Sequence, residues 1–242
     1  MKDKMPDNIK ALVGHLDARD RLQGETARNR AKNLKLPFSL YPVKSVGRPG
    51  AYSDYAEISE AYLVLRNRQH RAQYEEMVLR LNPILVRLEM RLIKNVLSEM
   101  GIRLEEVFHK PYSKRPGFVS SMLQNKLPEV YDHVCTAFDG SLRDSDVSIS
   151  LCTRILEALP NVSSDLLDFL RKCEMLNDSC RNELAHQLSS VSEEQLTASC
   201  GMQPAQLLRK LGDLIEVLYP ECDRSLFDIY KRCGEYIKAN LM

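Results

Sequence analysis

Apolar residues recur at intervals of three and four along most of the chain, a spacing that predicts amphipathic helices. The clearest stripe begins after Asn82-Pro83 and ends before Gly101, with Ile84, Leu88 and Leu92 on one side. Helices are also predicted over residues 17–36, 53–81, 127–138, 146–159, 163–176, 178–188, 204–218 and 225–241, and a capping-like stretch starts at Ser192 and is followed by Gly201. No run alternates with period two. The pattern therefore predicts an all-α fold, a bundle of antiparallel helices joined by short loops.

Residues 36–50 combine three prolines with two glycines, a composition typical of a linker. This stretch divides the chain into a connector with an N-terminal helical segment, residues 1–50, and a main helical domain, residues 51–242. Two further breaks are predicted. Pro83 is expected to end one helix and start the next, and Asn177 or Asp178 to cap a separate helix that carries residues 181–188.

Composition narrows the classes of function. The net charge of +1 excludes a strongly basic coat, although a local basic cleft remains compatible with it. The seven cysteines are odd in number and lack any C-x-x-C spacing, which favours reduced thiols in a cytoplasm over disulfides or zinc. No apolar run suffices to span a membrane, and residues 1–10 do not read as a signal peptide. No cofactor is expected.

One short stretch combines residue types that suit phosphodiester cleavage: Arg181-Asn182-Glu183-Leu184-Ala185-His186. Arg181 offers a permanent positive charge, His186 can exchange a proton near neutral pH, and Asn182 can orient a partner by hydrogen bonding. On a regular helix, positions five apart lie about 140° from each other around the axis. Either the helix begins between Arg181 and His186, or two copies of the chain contribute to one site.

This set permits cleavage of RNA without a metal ion. His186 would act on the attacking 2'-hydroxyl or the leaving oxygen, and Arg181 would neutralise charge that develops on the phosphate. A six-residue match also arises by chance in charged helices. Arg66, Asn67 and His70 form a similar set, but its arginine and histidine are four positions apart instead of five. Residues at that spacing share one face of a helix, which suits a solvated, charged face.

A basic loop forms a second candidate, with Lys110, Tyr112, Lys114 and Arg115. Its cations could guide an RNA backbone while the tyrosine stacks on a base. The alternative is an exposed, flexible loop without a ligand.

The motif Arg181-Asn182-x-x-x-His186 resembles the R-x(4–6)-H motif of HEPN ribonuclease domains, in which asparagine is a frequent second residue. The helices from about Tyr55 onward resemble the C-terminal HEPN half of type III CRISPR-associated effector ribonucleases activated by cyclic oligoadenylate. The resemblance implies a HEPN-like bundle and a homodimer whose Arg181, Asn182 and His186 line a shared cleft. It implies metal-independent cleavage of single-stranded RNA to a cyclic phosphate, in antiviral defence.

Residues 1–50 depart from this family pattern, because they are too short for the Rossmann-like sensor that binds the cyclic activator in such proteins. We therefore expect either a fragment or a relative without the sensor, and cyclic oligoadenylate would act only through a sensor domain not evident in this chain. Two alternatives remain open. The chain could be a catalytically inactive HEPN-type module that binds RNA or protein, or a toxin component that is active only with a partner protein.

Overall fold

The computed structural model describes residues 5–40, 51–113, 115–186, 191–220 and 227–241, with the backbone alone for residues 24, 51–54, 56 and 180–186. Helices dominate these residues, which confirms the predicted all-α, HEPN-like class. They group into two compact units, which we call the terminal unit, residues 1–71 with 208–242, and the central unit, residues 72–207. The predicted boundary near residue 50 falls outside the described residues and stays a prediction.

The terminal unit contains α1 (Asp7–Asp20), α2 (Gly24–Ala31), α3 (Ala51–His70), most of α10 (Pro204–Leu218) and α11 (Ile229–Leu241). Its core joins α1, α3 and α11 through Leu12, Leu63 and Ile229, all at most 1 % exposed. The buried Arg19 guanidinium donates to both carboxylate oxygens of Glu60, at 2.6 and 2.5 Å, and so ties α1 to α3.

The central unit contains α4 (Tyr74–Glu99), α5 (Ser120–Lys126), α6 (Pro128–Ala137), α7 (Ile149–Ala158), α8 (Ser164–His186) and α9 (Glu193–Cys200). The long helix α4 packs against both α7 and α8. Three two-residue strands, β1 (Phe108–His109), β2 (Gly117–Phe118) and β3 (Ser145–Asp146), form an antiparallel sheet in that order. Strands this short carry no alternation that a sequence pattern could reveal.

Two predicted helix boundaries are wrong. The single helix predicted over residues 17–36 is interrupted, because Leu22 adopts a left-handed φ of 56° between α1 and α2. Pro83 does not end a helix but lies inside α4, on its exposed side. The carbonyl of Leu79 loses its usual donor to the proline. Because Leu79 is 58 % exposed, water can solvate that carbonyl.

Candidate active site on the helix α8

Helix α8 carries the predicted catalytic motif at its C-terminal end. Ser163 caps the start, since its Oγ accepts a hydrogen bond from the Leu166 amide at 3.3 Å. An apolar stripe then fixes the helix in the central unit, and its buried members include Phe169, Leu170, Cys173 and Leu176. This stripe is the seam by which α8 packs against α4, α7 and α9.

The helix continues without a break through Asn177 and Asp178, so the prediction that these residues cap a separate helix is wrong. Asn177 is buried, and its amide Nδ2 donates to the Asp178 carboxylate at 3.3 Å. A mid-helix asparagine is tolerated here because its amide finds this neighbouring acceptor instead of breaking the backbone ladder.

The side chains of Arg181, Asn182 and His186 lie outside the described residues, and the backbone alone places their positions. All three positions belong to α8, so the alternative in which a helix begins between Arg181 and His186 does not hold. On one continuous helix, these two positions lie about 140° apart around the axis.

The chain that follows the motif returns to the start of α4. The Val191 amide donates to the Glu75 carboxylate at 2.7 Å, and the Tyr74 hydroxyl donates to Glu193 at 2.9 Å. Ser192 and Gln195 cap α9 reciprocally. His186 and Val191 are five positions apart in the sequence, which limits the distance between their Cα atoms to about 18 Å. The end of the motif therefore lies within that distance of a fixed point beside the N-terminus of α4.

A network of ion pairs, which sequence reasoning missed, holds α8 against α7. The Glu157 carboxylate on α7 accepts hydrogen bonds from Arg154 and from Arg171 of α8, both at 2.7 Å. His133 of α6 lies 3.7 Å from the same carboxylate. Burial raises the pKa of Glu157, but the hydrogen bonds from Arg171 and Arg154 outweigh that effect and lower it. Only the i,i+3 spacing of Arg154 and Glu157 could have indicated this network.

The similar set formed by Arg66, Asn67 and His70 belongs to α3, and two of its members have structural contacts. Arg66 donates to the Phe227 carbonyl at 2.6 Å, and the Asn67 amide hydrogen-bonds to Asp20. His70 is exposed, as predicted for a solvated face, whereas Arg66 is half-buried. Arg66 and Asn67 therefore connect parts of the terminal unit, which is a structural role.

The second candidate, the basic loop, joins β1 to β2 in the central unit. Lys110, Tyr112 and Arg115 are exposed, and Lys114 lies outside the described residues. Sequence reasoning missed Lys94 of α4, whose Nζ lies 5.1 Å from the centroid of the Tyr112 ring. No sequence signal could have found this contact, because the two residues belong to separate elements.

Two further predictions concern the cysteines and membrane spans. The cysteines with described side chains, Cys135, Cys152, Cys173, Cys200 and Cys233, are free thiols, and all but Cys135 are buried. Among the described residues, no helix is both long and apolar enough to cross a membrane.

Comparisons with known proteins bear on this arrangement. A family model described as the Cas_Csm6 HEPN domain matches residues 40–238, a span that includes the whole motif. No curated protein matches the chain. The fold is similar to a solved structure, Enterococcus italicus Csm6 bound to cyclic hexa-2'-fluoro-hexa-dAMP, with a TM-score of 0.63 and 15 % sequence identity. That similarity covers 96 % of this chain and 56 % of the Enterococcus protein, so the chain spans little more than half of its relative. The family model confirms the resemblance inferred from the sequence, and the chain belongs to the Csm6 HEPN domain family of CRISPR-associated proteins.

Proposed function

We propose that this chain is a homodimeric endoribonuclease that cleaves single-stranded RNA without a metal ion, in CRISPR-linked antiviral defence in the cytoplasm. One observation carries the proposal: the set Arg181, Asn182 and His186 falls inside the family-matched residues and on one uninterrupted helix. The ribonuclease activity, its mechanism and the dimer are parts of the proposal.

The proposed reaction is attack by the 2'-hydroxyl on the adjacent phosphorus. His186 takes or delivers the proton that the step requires, and Arg181 offsets the negative charge that grows on the phosphate oxygens. A bond from the 2'-oxygen to phosphorus forms while the bond from phosphorus to the 5'-oxygen breaks. The 5'-oxygen leaves as a hydroxyl after gaining a proton, and the other product ends in a 2',3'-cyclic phosphate. DNA lacks the nucleophile, so RNA is the substrate.

The helix geometry favours a site that two protomers share. Positions 181 and 186 of one helix diverge by about 140°, so a phosphate held by Arg181 of one chain would meet His186 of the other across a two-fold axis. The exposed side of α8 supports this placement. Met175 is 57 % exposed on it, and positions 182 and 186 lie within about 20° of Met175 around the helix axis.

Control by a small activator is a separate part of the proposal. The Enterococcus relative is described as bound to a cyclic hexanucleotide analogue, and it is longer than the part that this chain matches. We propose that any control by a cyclic oligoadenylate reaches this chain through a sensor domain that the sequence does not reveal.

A mixing experiment tests both the catalytic residues and the shared site. Arg181→Ala and His186→Ala chains, each purified alone, are expected to leave labelled RNA intact in EDTA. Co-expressed, they form heterodimers in which one of the two composite sites keeps both wild-type residues. Random pairing then restores about a quarter of wild-type activity.

Each other outcome contradicts a named part of the proposal. A His186→Ala chain that cleaves RNA as fast as wild type refutes the assignment of His186. Wild-type cleavage with no recovery on mixing refutes the shared site and places both residues in one protomer. RNA that is retarded in a gel but never cut by the wild-type chain identifies a binding module instead of an enzyme.

A further inference from the structure

The β1–β2 loop of the central unit is held firmly at its base. Phe108 and Phe118 pair across the two strands, are at most 1 % exposed, and stand edge to face with ring centroids 6.3 Å apart. A turn closes the loop, since the Ser113 amide donates to the Lys110 carbonyl at 3.0 Å. Pro111 is buried between these turn residues. The loop therefore presents its outer residues from a fixed support.

Tyr112 is the residue that this support presents. It is 63 % exposed, whereas Phe108 and Phe118 at the base of the loop are fully buried. The ammonium group of Lys94 lies over its ring at 5.1 Å from the centroid, within the range of a cation–π interaction. The ring is thus oriented by α4 while most of the residue stays open to solvent.

A shallow cleft of about 360 Å³ lies beside the ring. Met122 supplies accessible apolar lining, the adjacent Phe108 being buried, and His109, Lys110 and Ser113 supply polar groups. Its volume is at the lower end of the range found for small-ligand sites, about 300–1,000 Å³. Glu105 is the carboxylate among the lining residues, so the cleft itself suits a neutral ring with polar edges better than a phosphate.

Positive charge is arranged around the cleft. Lys94 of α4 lies over the Tyr112 ring, Lys110 lines the cleft, and the exposed Arg115 follows Tyr112 by three positions on the same loop. An aromatic platform flanked by cations is the usual arrangement for binding single-stranded nucleic acid, in which bases stack and the backbone follows the cations. An acidic peptide would use the cations but would gain nothing from a flat exposed ring beside an apolar cleft.

We propose that this cleft binds one nucleotide of the single-stranded RNA substrate, with its base stacked on Tyr112 and its flanking phosphates on Lys94, Lys110 and Arg115. The inference rests on the proposed function for the identity of the ligand. It adds a substrate-positioning site in which Tyr112 and Lys94 touch the RNA away from the cleaved bond.

Binding is measured by fluorescence anisotropy with a short labelled RNA of mixed sequence and the full chain carrying His186→Ala, which prevents turnover. Tyr112→Ala is expected to weaken binding about tenfold, because the variant loses one base-stacking contact. Tyr112→Phe keeps the ring and is expected to bind within about twofold of the parent. Lys94→Ala is expected to reduce the slope of log affinity against log salt by about 0.7, the value for one phosphate contact on a single strand.

Controls separate binding from folding and from catalysis. Lys238→Ala removes an exposed cation of the terminal unit and is expected to leave the affinity of Tyr112-dependent binding unchanged. Equal affinity of the Tyr112→Ala and Tyr112→Phe chains, with both folded by circular dichroism, overturns the inference without touching the catalytic proposal. Tyr112-dependent binding by a wild-type chain that never cleaves RNA refutes the catalytic proposal and keeps this site. Tyr112-dependent binding of cyclic oligoadenylate but not of linear RNA overturns the assignment to substrate.

Discussion

The Thr153 hydroxyl donates a hydrogen bond of 3.0 Å to the carboxyl group of Glu89 in the interior of the central unit. Glu89 lies on α4, Thr153 on α7, and both are fully buried. The second oxygen of Glu89 has no hydrogen-bond partner among the described residues. Burial raises the pKa of Glu89 well above its usual value, the charge of Glu174 on α8 adds to this, and the Thr153 hydrogen bond opposes it. The packing that holds the motif helix thus contains an acid that resists ionisation.

Glu89→Gln is expected to remove a pH dependence of stability. A carboxyl whose pKa is higher in the folded state binds more protons there, so wild-type stability falls as pH rises above the unfolded value of about 4.5. The fall is about 1.4 kcal/mol per pH unit until the folded pKa is reached. Glutamine keeps the acceptor for Thr153 and does not titrate. Urea unfolding of both proteins at about pH 5 and pH 8 gives their free energies of unfolding. The decrease between these two pH values should be smaller for Glu89→Gln than for the wild type. An unchanged slope would mean that Glu89 is ionised in the folded protein.

Glu157→Gln is expected to change the pH dependence of stability in the opposite direction. Hydrogen bonds from Arg171 and Arg154 lower the pKa of this carboxyl despite its partial burial, so its contribution is present above the unfolded pKa and is lost as pH falls through the folded pKa. The variant is expected to lose about 1 kcal/mol at neutral pH, since both arginines stay partly solvated, and less at acidic pH. The same urea titration measures it. A loss that persists unchanged at low pH would assign the effect to packing instead of charge.

Gly212→Ala tests close packing in the terminal unit. The Tyr62 hydroxyl, which donates to the Leu208 carbonyl at 3.0 Å, lies 2.5 Å from where a Cβ of residue 212 would stand. Alanine must displace this buried hydroxyl, so we expect a loss of about 1–3 kcal/mol despite its better helix propensity. Thermal unfolding measures the change. Gly234→Ala on α11 is the matched control, because, within the described part of the chain, no atom beyond its sequence neighbours and its own helix backbone lies within 4 Å of its Cβ position. Adding Tyr62→Phe should recover part of the loss, and a purely additive double variant would contradict the contact.

The helical class was predictable because most helices bury a stripe of regular spacing, as α8 does with Leu170 and Cys173. The breaks between helices were harder to predict from the sequence. Leu22 and Ala72 adopt left-handed φ angles of 56° and 51° at the ends of α1 and α3, a conformation that glycine or asparagine usually indicates. Pro83 gave the opposite error: it was expected to end a helix, but it lies inside α4, where water can solvate the carbonyl that it leaves without a donor.

Part of the candidate site could likewise be predicted from the sequence, and part could not. The motif around Arg181 could be recognised from residue types, because the cation and the proton carrier that the proposed chemistry uses stand close together in this sequence. Buried or cationic groups on the neighbouring helix α4 could not be recognised in this way. Glu89 and Lys94 both lie on α4, and their importance comes from Thr153 and Tyr112, which the fold brings in from other elements. Contacts at such separation leave no spacing to detect.

Met175→Glu is expected to weaken the proposed dimer and, with it, RNA cleavage. Met175 is 57 % exposed on the side of α8 that carries positions 182 and 186, and a two-fold axis along this side would bring the two copies of the new carboxylate together. Like charges facing each other in an interface cost several kcal/mol, enough to shift the chain to monomer at micromolar concentration. Light scattering after size exclusion measures the mass, and cleavage of labelled RNA measures the activity.

Met100→Glu is the matched control for this variant. Met100 is 41 % exposed and caps the C-terminal end of α4, so it does not belong to the helix that the proposal assigns to the interface. We expect this chain to keep both the wild-type mass and the wild-type activity. A Met175→Glu chain that stays dimeric and cleaves RNA at the wild-type rate would remove this side of α8 from the interface. Because positions 181 and 186 diverge on one continuous helix, the shared site would then need another two-fold surface that still brings Arg181 of one protomer to His186 of its partner.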